Sequence, residues 1–494
     1  MSYLQTFLNM ACGLFLSAFL LRQMGDVEYG LYQSVTAFVT YLVMFEFGIG
    51  TVMTRNIALC RSADNTEAIR KNTVTLWYAT LALSAVIVGV SVVFCANIGT
   101  IYQKTMDARQ VVYAQKIFVL MVGYMVVSFL TNTLNGLLLG MEQYTFSKIL
   151  GVIRILIRLL LLVAVIGPWP HAINLAFIEL GVGAGAFLVT YAFCKRAYKL
   201  ELKWRYFDKK ILISSLPLCL ALLLQTIINQ ANTNVGKFVV GVGLSLEGVA
   251  LYSVAQYIQS MISSVTTIPL SMYMPQVARD VSSGKTGKEL TRTLVPSCRL
   301  VVIIGGTLLC GLMAVGRQFI QLVYGPDKEI AWLYALIATV PMFINMTTGV
   351  VVNVLDVINK RLVRSLVLVA AMLLNIVITV VLLPWCDVMA PFIGVAGSVI
   401  IGNIIVMHIY YRKVLKLDVI WLFKEAYRGL LPYQLLSAGV VFWVAAQIKH
   451  TATAFLLGGF LYVLLSGTLI CLFGLNGDER RQVKTIVNKV KRRV

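Results

Sequence analysis

Two arginines stand four residues apart within a long apolar stretch of the sequence, Arg154 and Arg158. Residues with this spacing share one face of a helix, and guanidinium groups match the oxygens of a phosphate. A cation at the centre of a bilayer costs about 2.5–3.5 kcal/mol, so it seldom faces lipid. The pair therefore predicts a site for a phosphate-bearing anion. The alternative, which applies above all to Arg154, is that the side chain extends to the end of its helix.

A second polar set lies in another apolar stretch, just before Lys237. Amide side chains both donate and accept hydrogen bonds, which suits the hydroxyl groups of a sugar. The alternative is hydrogen bonding between helices. We predict that Lys237 and these amides line a cavity: Gln225, Asn229, Gln230, Asn232 and Asn234.

Two carboxylates, Glu46 and Glu179, also lie deep in apolar stretches, without a basic residue one helical turn away. Each must pair with an arginine of another helix, such as Arg55 or Arg158, stay protonated, or face water. The functional hypothesis is coupling to H⁺, Na⁺ or the membrane potential, because a charge crossing the membrane gains about 2.3 kcal/mol per 100 mV. No cofactor or metal site is expected, since the nine cysteines are scattered without ligand spacing.

These residues lie on elements that are each long enough to cross a membrane, which takes roughly 20 apolar residues. Hydrophobic residues make up 59% of the chain and its mean hydropathy is +0.84, which excludes an ordinary soluble domain. We predict an all-α polytopic membrane protein with about 14 transmembrane helices, at 3–21, 31–53, 73–96, 115–138, 149–167, 172–194, 211–236, 248–274, 294–316, 329–354, 364–384, 390–411, 429–448 and 453–474.

The positive charge is distributed asymmetrically between the loops. Of the 42 Lys and Arg residues, 34 fall in or near the even-numbered gaps and the C-terminal tail. Positive residues favour the cytoplasmic side, so both termini are predicted to be cytoplasmic. The net charge of +21 then reflects topology and anionic membrane lipids rather than nucleic acid. Arg299 and Arg364, at cytoplasmic helix starts, are interpreted in the same way.

The gap at 195–210 divides six predicted helices from eight. We predict an N-terminal lobe at 1–200, a C-terminal lobe at 201–416, an interfacial segment with two more helices at 417–476, and a basic amphipathic tail at 477–494. A faint repeat supports two pseudo-symmetric six-helix lobes, because Leu31-Tyr32 and Leu251-Tyr252 each follow an apolar helix and a short turn.

The run at 20–58 resembles the N-terminal signature of the polysaccharide flippases of the MOP superfamily. The matching residues are Met24-Gly25, Tyr29-Gly30-Leu31-Tyr32, Glu46, Gly48-Ile49-Gly50 and Arg55, and 137–154 and 236–258 are similar to later parts of the family. The resemblance implies two six-helix lobes around a central cavity, with Arg55 among the cavity residues.

The activity implied is the flipping of an undecaprenyl-diphosphate-linked oligosaccharide, by alternating access, in a bacterial cytoplasmic membrane. Its expected partners are that polyprenyl-diphosphate-linked glycan and other polysaccharide assembly proteins. The alternative is a cation-coupled exporter of drugs or small molecules in the same superfamily, although 3–21 lacks the carboxylate usual there. A membrane enzyme is disfavoured because the three histidines lie near helix ends.

Overall fold

The computed structural model describes residues 2–198, 201–358, 360–477 and 479–481. Some side chains inside the helices also lie outside the described part, among them those of Gln225, Asn229 and Asn232. The described residues form helices, turns and short connections and contain no strand. The prediction of an all-α protein is confirmed.

Contacts between Cα atoms divide the chain into two units, with the division at Ser253 and Val254 inside one helix. The predicted lobe boundaries at 200 and 416 remain predictions. The first unit contains two 3₁₀ turns, Met44–Glu46 and Trp204–Tyr206. Its helices are α1 Ser2–Val43, α2 Ile49–Ser62, α3 Thr66–Ile101, α4 Ala108–Gly140, α5 Tyr144–Ile166, α6 Ala172–Tyr198, α7 Lys209–Gly243 and the beginning of α8 Leu246–Ser282.

The second unit continues α8 and contains ten further α-helices, with π-helical turns at Val302–Gly306, Val399–Val406 and Ile470–Gly474. The predicted segment at 418–428 is a helix whose first turn is capped by Asp418, which accepts from the Trp421 amide at 3.1 Å. The helices are α9 Gly287–Val301, α10 Thr307–Tyr324, α11 Ala331–Thr347, α12 Val350–Val357, α13 Arg361–Cys386, α14 Ala390–Ser398, α15 Met407–Val414, α16 Val419–Tyr427, α17 Leu431–Ala446 and α18 Thr451–Leu469.

Each of the fourteen predicted apolar stretches lies on helix over most of its length. Among the described residues, eight helices are long and apolar enough to cross a membrane, or nine when the bent pair α16–α17 counts as one span. Large apolar side chains stay exposed on their outer faces, as with Leu160 at 69% and Phe460 at 69%. Such surfaces are suited to lipid rather than water, so this is a multi-pass membrane protein.

The Tyr-Gly-Leu-Tyr motif at 29–32 lies where α1 crosses the start of α8. A Cβ atom at Gly30 would stand 1.9 Å from the backbone oxygen of Leu246, so the two helices can approach this closely only at a glycine. Upstream, Gly25 has φ 76° and ψ 172°, a conformation that favours glycine. The turn predicted between the first two spans is therefore a kink at one residue, without a loop.

Arg299 connects three distant parts of the second unit, although it is only 1% exposed. Its Nε and Nη2 donate to the two carboxylate oxygens of Glu479 at 2.6 and 3.0 Å. Nη1 donates to the carbonyls of Glu425 and Arg428 at 3.0 Å, and Nη2 to that of Gly474 at 2.7 Å. All five guanidinium N–H groups are thus used. The sequence suggested only a topological marker, whereas Arg299 is a buried structural link.

The Gly30 contact predicts an asymmetry between two glycine substitutions. Gly30→Ala should cost about 1–3 kcal/mol of unfolding free energy, because the added methyl group overlaps a backbone atom that cannot rotate away. Gly181→Ala in α6 is the matched control, since its Cβ would meet nothing within 4 Å. It should be neutral or stabilising by up to about 1 kcal/mol. Thermal unfolding in detergent measures both, and equal midpoints would contradict the close approach.

A second pair of variants tests the Arg299 link. Arg299→Gln should cost about 3–5 kcal/mol, because it leaves Glu479 and three carbonyls without their donors. Arg292→Gln, an exposed position on the same helix α9, removes the same charge and should change the thermal midpoint little. If the two variants melted alike, Arg299 would not hold the unit together.

Candidate functional site

Lys237 lies in α7 as a half-buried ammonium with a neutral partner. Its Nζ donates to Oε1 of Gln33 in α1 at 3.1 Å. Among the described residues it forms no ion pair with a carboxylate. An ammonium carries three N–H donors, so two remain for water or a ligand. The charge itself is uncompensated, and an anion would bind it favourably.

The amides before Lys237 are only partly described. Asn234 is buried, and its Nδ2 donates to Oε1 of Gln230 at 3.0 Å, one turn earlier on α7. This bond uses one donor of Asn234 and the side-chain acceptor of Gln230. The side chains of Gln225, Asn229 and Asn232 lie outside the described residues. That these amides bind a sugar thus stays a prediction. To bind one through the same atoms, Gln230 and Asn234 would have to replace the hydrogen bond between them with hydrogen bonds to the sugar.

Glu46 ends the 3₁₀ turn Met44–Glu46, at a break in the second predicted span. Phe47 and Gly48 follow in left-handed conformations, with φ 56° and 62°, and α2 begins at Ile49. The carboxylate accepts a long hydrogen bond, 3.4 Å, from Nδ2 of Asn132 in α4. Broken helices are tolerated in membranes where they face protein or a water-filled cavity. Glu46 is therefore a half-buried carboxylate with an amide partner at such a break.

Arg55 lies two turns into α2, and its side chain is exposed. The ion pair with Glu46 that the sequence left open is not formed. Among the described residues Arg55 takes part in no other ion pair either. Like Lys237, it is a cation of the first unit without a carboxylate partner among the described residues.

Arg158 and Glu179 pair across α5 and α6, which was one of the alternatives for Glu179. Arg158 Nε donates to Glu179 Oε1 at 2.6 Å, and Nη2 also contacts that oxygen. The side chain of Glu179 is only 7% exposed, whereas that of Arg158 is 42% exposed. The carboxylate neutralises the guanidinium, so Arg158 attracts a further anion less strongly than its sequence context suggested.

Arg154 does not join that ion pair. Its Nη2 donates to the hydroxyl of Tyr124 in α4 at 2.9 Å, and its guanidinium carbon lies 5.9 Å from the ring centroid. Tyr32 of α1 is buried close enough to interact electrostatically with Arg158, Glu179 and Tyr124. The two arginines thus have different partners. A phosphate site formed by both remains a prediction, and the negative charge of Glu179 beside Arg158 disfavours it.

Three uncharged partners were not predicted from the sequence: Gln33, Asn132 and Tyr124. Gln33 and Asn132 could have been noticed, because they are amides inside apolar stretches. Their partners could not, since Gln33 is 204 positions from Lys237 along the chain. The described residues contain no group of three His, Cys, Asp or Glu side chains that could hold a metal ion.

The Arg158–Glu179 pair predicts a double-mutant cycle. Arg158→Gln and Glu179→Gln should each lower the thermal midpoint, because each leaves the other charge unpaired in a low-dielectric setting. The double variant should recover part of the loss, with an interaction free energy of about 0.5–3 kcal/mol. Strictly additive losses in detergent-solubilised protein would show that the pair contributes nothing to stability.

Comparison with known proteins places these features in a family. The sequence profile of the family described as "Polysaccharide biosynthesis protein" matches residues 2–281. No curated protein matches the chain. Among solved structures, a lipid II flippase MurJ in an inward closed conformation is similar over 95% of this chain and 98% of its own, with a TM-score of 0.72 and 14% identity.

Two structures described as MATE proteins are also similar. An inward-facing MATE family transporter of the MOP superfamily has a TM-score of 0.58 and 16% identity, over 88% of this chain and 95% of its own. A MATE protein in complex with MaL6 has a TM-score of 0.51 and 14% identity, over 83% and 97%. At such identities the likeness shows the all-α fold alone. With more than half of its length matched by the family profile, the chain belongs to the polysaccharide biosynthesis protein family.

Proposed function

We propose that this protein is a flippase that moves an undecaprenyl-diphosphate-linked oligosaccharide across the bacterial cytoplasmic membrane. Family membership supports a role in polysaccharide biosynthesis, and the fold supports a transporter rather than an enzyme. The observation that carries the proposal is Lys237, a cation within a helix whose described partner is a neutral amide. Such a charge is costly in a membrane unless an anion or water compensates it.

The substrate's chemistry explains why a cation of this kind is useful. A lipid diphosphate is negatively charged, and its glycan carries many hydroxyl groups, so neither crosses about 30 Å of hydrocarbon unaided. Uncompensated cations such as Lys237 and Arg55 supply the counter-charge, and amides supply donors and acceptors for the sugar. Arg154 adds a third cation without a carboxylate partner among the described residues. Arg158, already paired with Glu179, contributes less.

The proposed direction of transport is from the inner leaflet to the outer one, which is the direction that the family resemblance implies. The positive-inside rule places both termini on the cytoplasmic side in this proposal. We propose alternating access by rocking of two lobes. Glu46 is the better of the two candidates for H⁺ or Na⁺ coupling, because its described partner is an amide, whereas Glu179 is held by Arg158. The membrane potential is the other proposed energy source, and other polysaccharide assembly proteins are proposed partners.

A cation-coupled exporter is the second candidate, supported by the structural likeness to the MATE family transporter and by Glu46. Depletion of the protein separates the two functions. A flippase leaves lipid-linked oligosaccharide accumulated in the inner leaflet, whereas loss of an exporter raises sensitivity to toxic small molecules without that accumulation.

The same depletion strain tests the role of Lys237. A plasmid-borne Lys237→Gln variant should translocate roughly 10- to 100-fold more slowly than the wild type, because a hydrogen bond to a charged group is worth about 1.5–3 kcal/mol. The matched control is Lys116→Gln, which removes an exposed lysine of α4 and should complement fully. The measurement is the amount of lipid-linked oligosaccharide remaining in the inner leaflet, at equal levels of membrane-inserted protein.

Two outcomes would overturn parts of this proposal. Full complementation by Lys237→Gln would remove Lys237 from the substrate path. No accumulation on depletion of the wild type, with new drug sensitivity instead, would replace the flippase by the exporter.

A further inference from the structure

Two hydrogen bonds hold the described part of the connection between α6 and α7, residues 201–208, against α3. The Tyr78 hydroxyl donates to the carbonyl of Leu202 at 3.0 Å, and the Asp208 amide donates to Thr75 Oγ1 at 2.9 Å. Between these two points the chain forms the 3₁₀ turn Trp204–Tyr206. The backbone on both sides of this turn is therefore anchored to α3.

Two guanidinium groups converge on one neutral atom in this turn. Arg70 of α3 donates from Nη1 to the Tyr206 hydroxyl at 2.9 Å, and Arg205 donates to the same oxygen. Their guanidinium carbons lie 5.0 and 4.6 Å from the Tyr206 ring centroid. The hydrogen bond from Arg205 holds the pKa of the Tyr206 hydroxyl below its usual range, as expected in a strongly positive setting.

The carboxylates near these arginines are bound to lysines instead. Glu67 pairs with Lys71 at 2.7 Å, and Glu201 pairs with Lys203 at 3.3 Å. Among the described ion pairs, none involves Arg70 or Arg205. Two like charges therefore stand together without a counter-charge of their own, an arrangement that an anion would stabilise.

An aromatic platform adjoins the two arginines. The Trp204 ring stacks on Phe207 with centroids 4.7 Å apart and packs edge-on against Tyr78, also at 4.7 Å. Trp204 nevertheless remains 63% exposed. Ile213, one turn into α7, is 59% exposed. The platform thus lies where the apolar surface of a spanning helix begins, the level at which tryptophan rings meet lipid headgroups.

We propose that Arg70, Arg205 and Trp204 form a binding site for the phosphate headgroup of an anionic membrane phospholipid. The guanidinium groups bind the phosphodiester oxygens, and the indole ring lies among the headgroups beside them. On the predicted topology the lipid belongs to the cytoplasmic leaflet, whose anionic lipids attract basic segments next to the membrane. A bound lipid would hold the α6–α7 connection at the membrane surface. This site is independent of the substrate path through Lys237.

Native mass spectrometry of the full-length protein in detergent tests the proposal, with dioleoylphosphatidylglycerol and dioleoylphosphatidylcholine as probes. The wild type should prefer phosphatidylglycerol. Arg70→Gln/Arg205→Gln should weaken its binding about 10- to 30-fold, since a basic residue at a membrane surface contributes about 1 kcal/mol. Phosphatidylcholine binding should not change. The matched control is Lys104→Gln/Arg109→Gln, which removes an exposed cation between α3 and α4 and another in the first turn of α4 and should keep the preference.

A conservative variant separates binding from folding. Arg70→Lys/Arg205→Lys keeps both charges and should retain most of the preference for phosphatidylglycerol. Equal losses in the Lys and Gln variants would mean that the arginines only fix the turn, which overturns the site. An unchanged preference in the Gln variant overturns it as well. Displacement of the lipid by inorganic phosphate at equal concentration would show a free-anion site instead of a lipid site.

Headgroup contact of Trp204 gives a second readout. Brominated phosphatidylglycerol in vesicles should quench part of the tryptophan emission, and Trp204→Phe should remove that part. The same quenching in the variant and the wild type would show that Trp204 does not meet the lipid, against the proposal.

Discussion

Charge in a low-dielectric setting governs this structure, because each cation within or beside the spanning helices must find a counter-charge, a polar partner or water. Arg299 meets the requirement completely, since all five of its N–H donors are bonded to Glu479 and to backbone carbonyls. Arg158 meets it through Glu179. Arg299 connects α9 to parts of the chain that are 126 to 180 positions away, whereas Arg158 connects the consecutive helices α5 and α6. The helix packing around both arginines depends on their charges remaining matched.

The same requirement identifies the residues that are free to act. Lys237 has an amide partner, Arg55 is exposed, and Glu46 accepts one long bond from Asn132 beside a helix break. Paired charges stabilise the fold, whereas unpaired charges destabilise it until a substrate or an ion binds to them. The first unit holds all three of these groups, so the proposed substrate binding and coupling both depend on that unit. At the Arg70–Arg205 turn, the proposed counter-charge is the phosphate of a membrane lipid.

Much of the architecture could be predicted from local sequence patterns. Apolar stretches of spanning length predicted helices that the structure contains, and the family signature at 20–58 agreed with the profile match. Gly30 of the 29–32 motif was recognisable in the sequence, but the reason why a glycine is needed there was not. Leu246, whose backbone approaches Gly30, lies more than 200 positions away along the chain. Arg158 was interpreted as a ligand for phosphate, and its pairing with Glu179 depended on how α5 and α6 pack.

The sequence by itself determined the class of protein, the helices and, through the positions of Lys and Arg, a predicted orientation. These properties depend on composition and on neighbours along the chain. They can therefore be predicted from the lengths of the apolar stretches and from the distribution of charge between them. Only the tertiary structure decided which charges are neutralised. Arg299 and Lys237 look alike in sequence, as single cations at the edge of apolar stretches. One is fully bonded and the other is not, because ion pairing depends on distances of a few ångströms between residues that the chain separates widely.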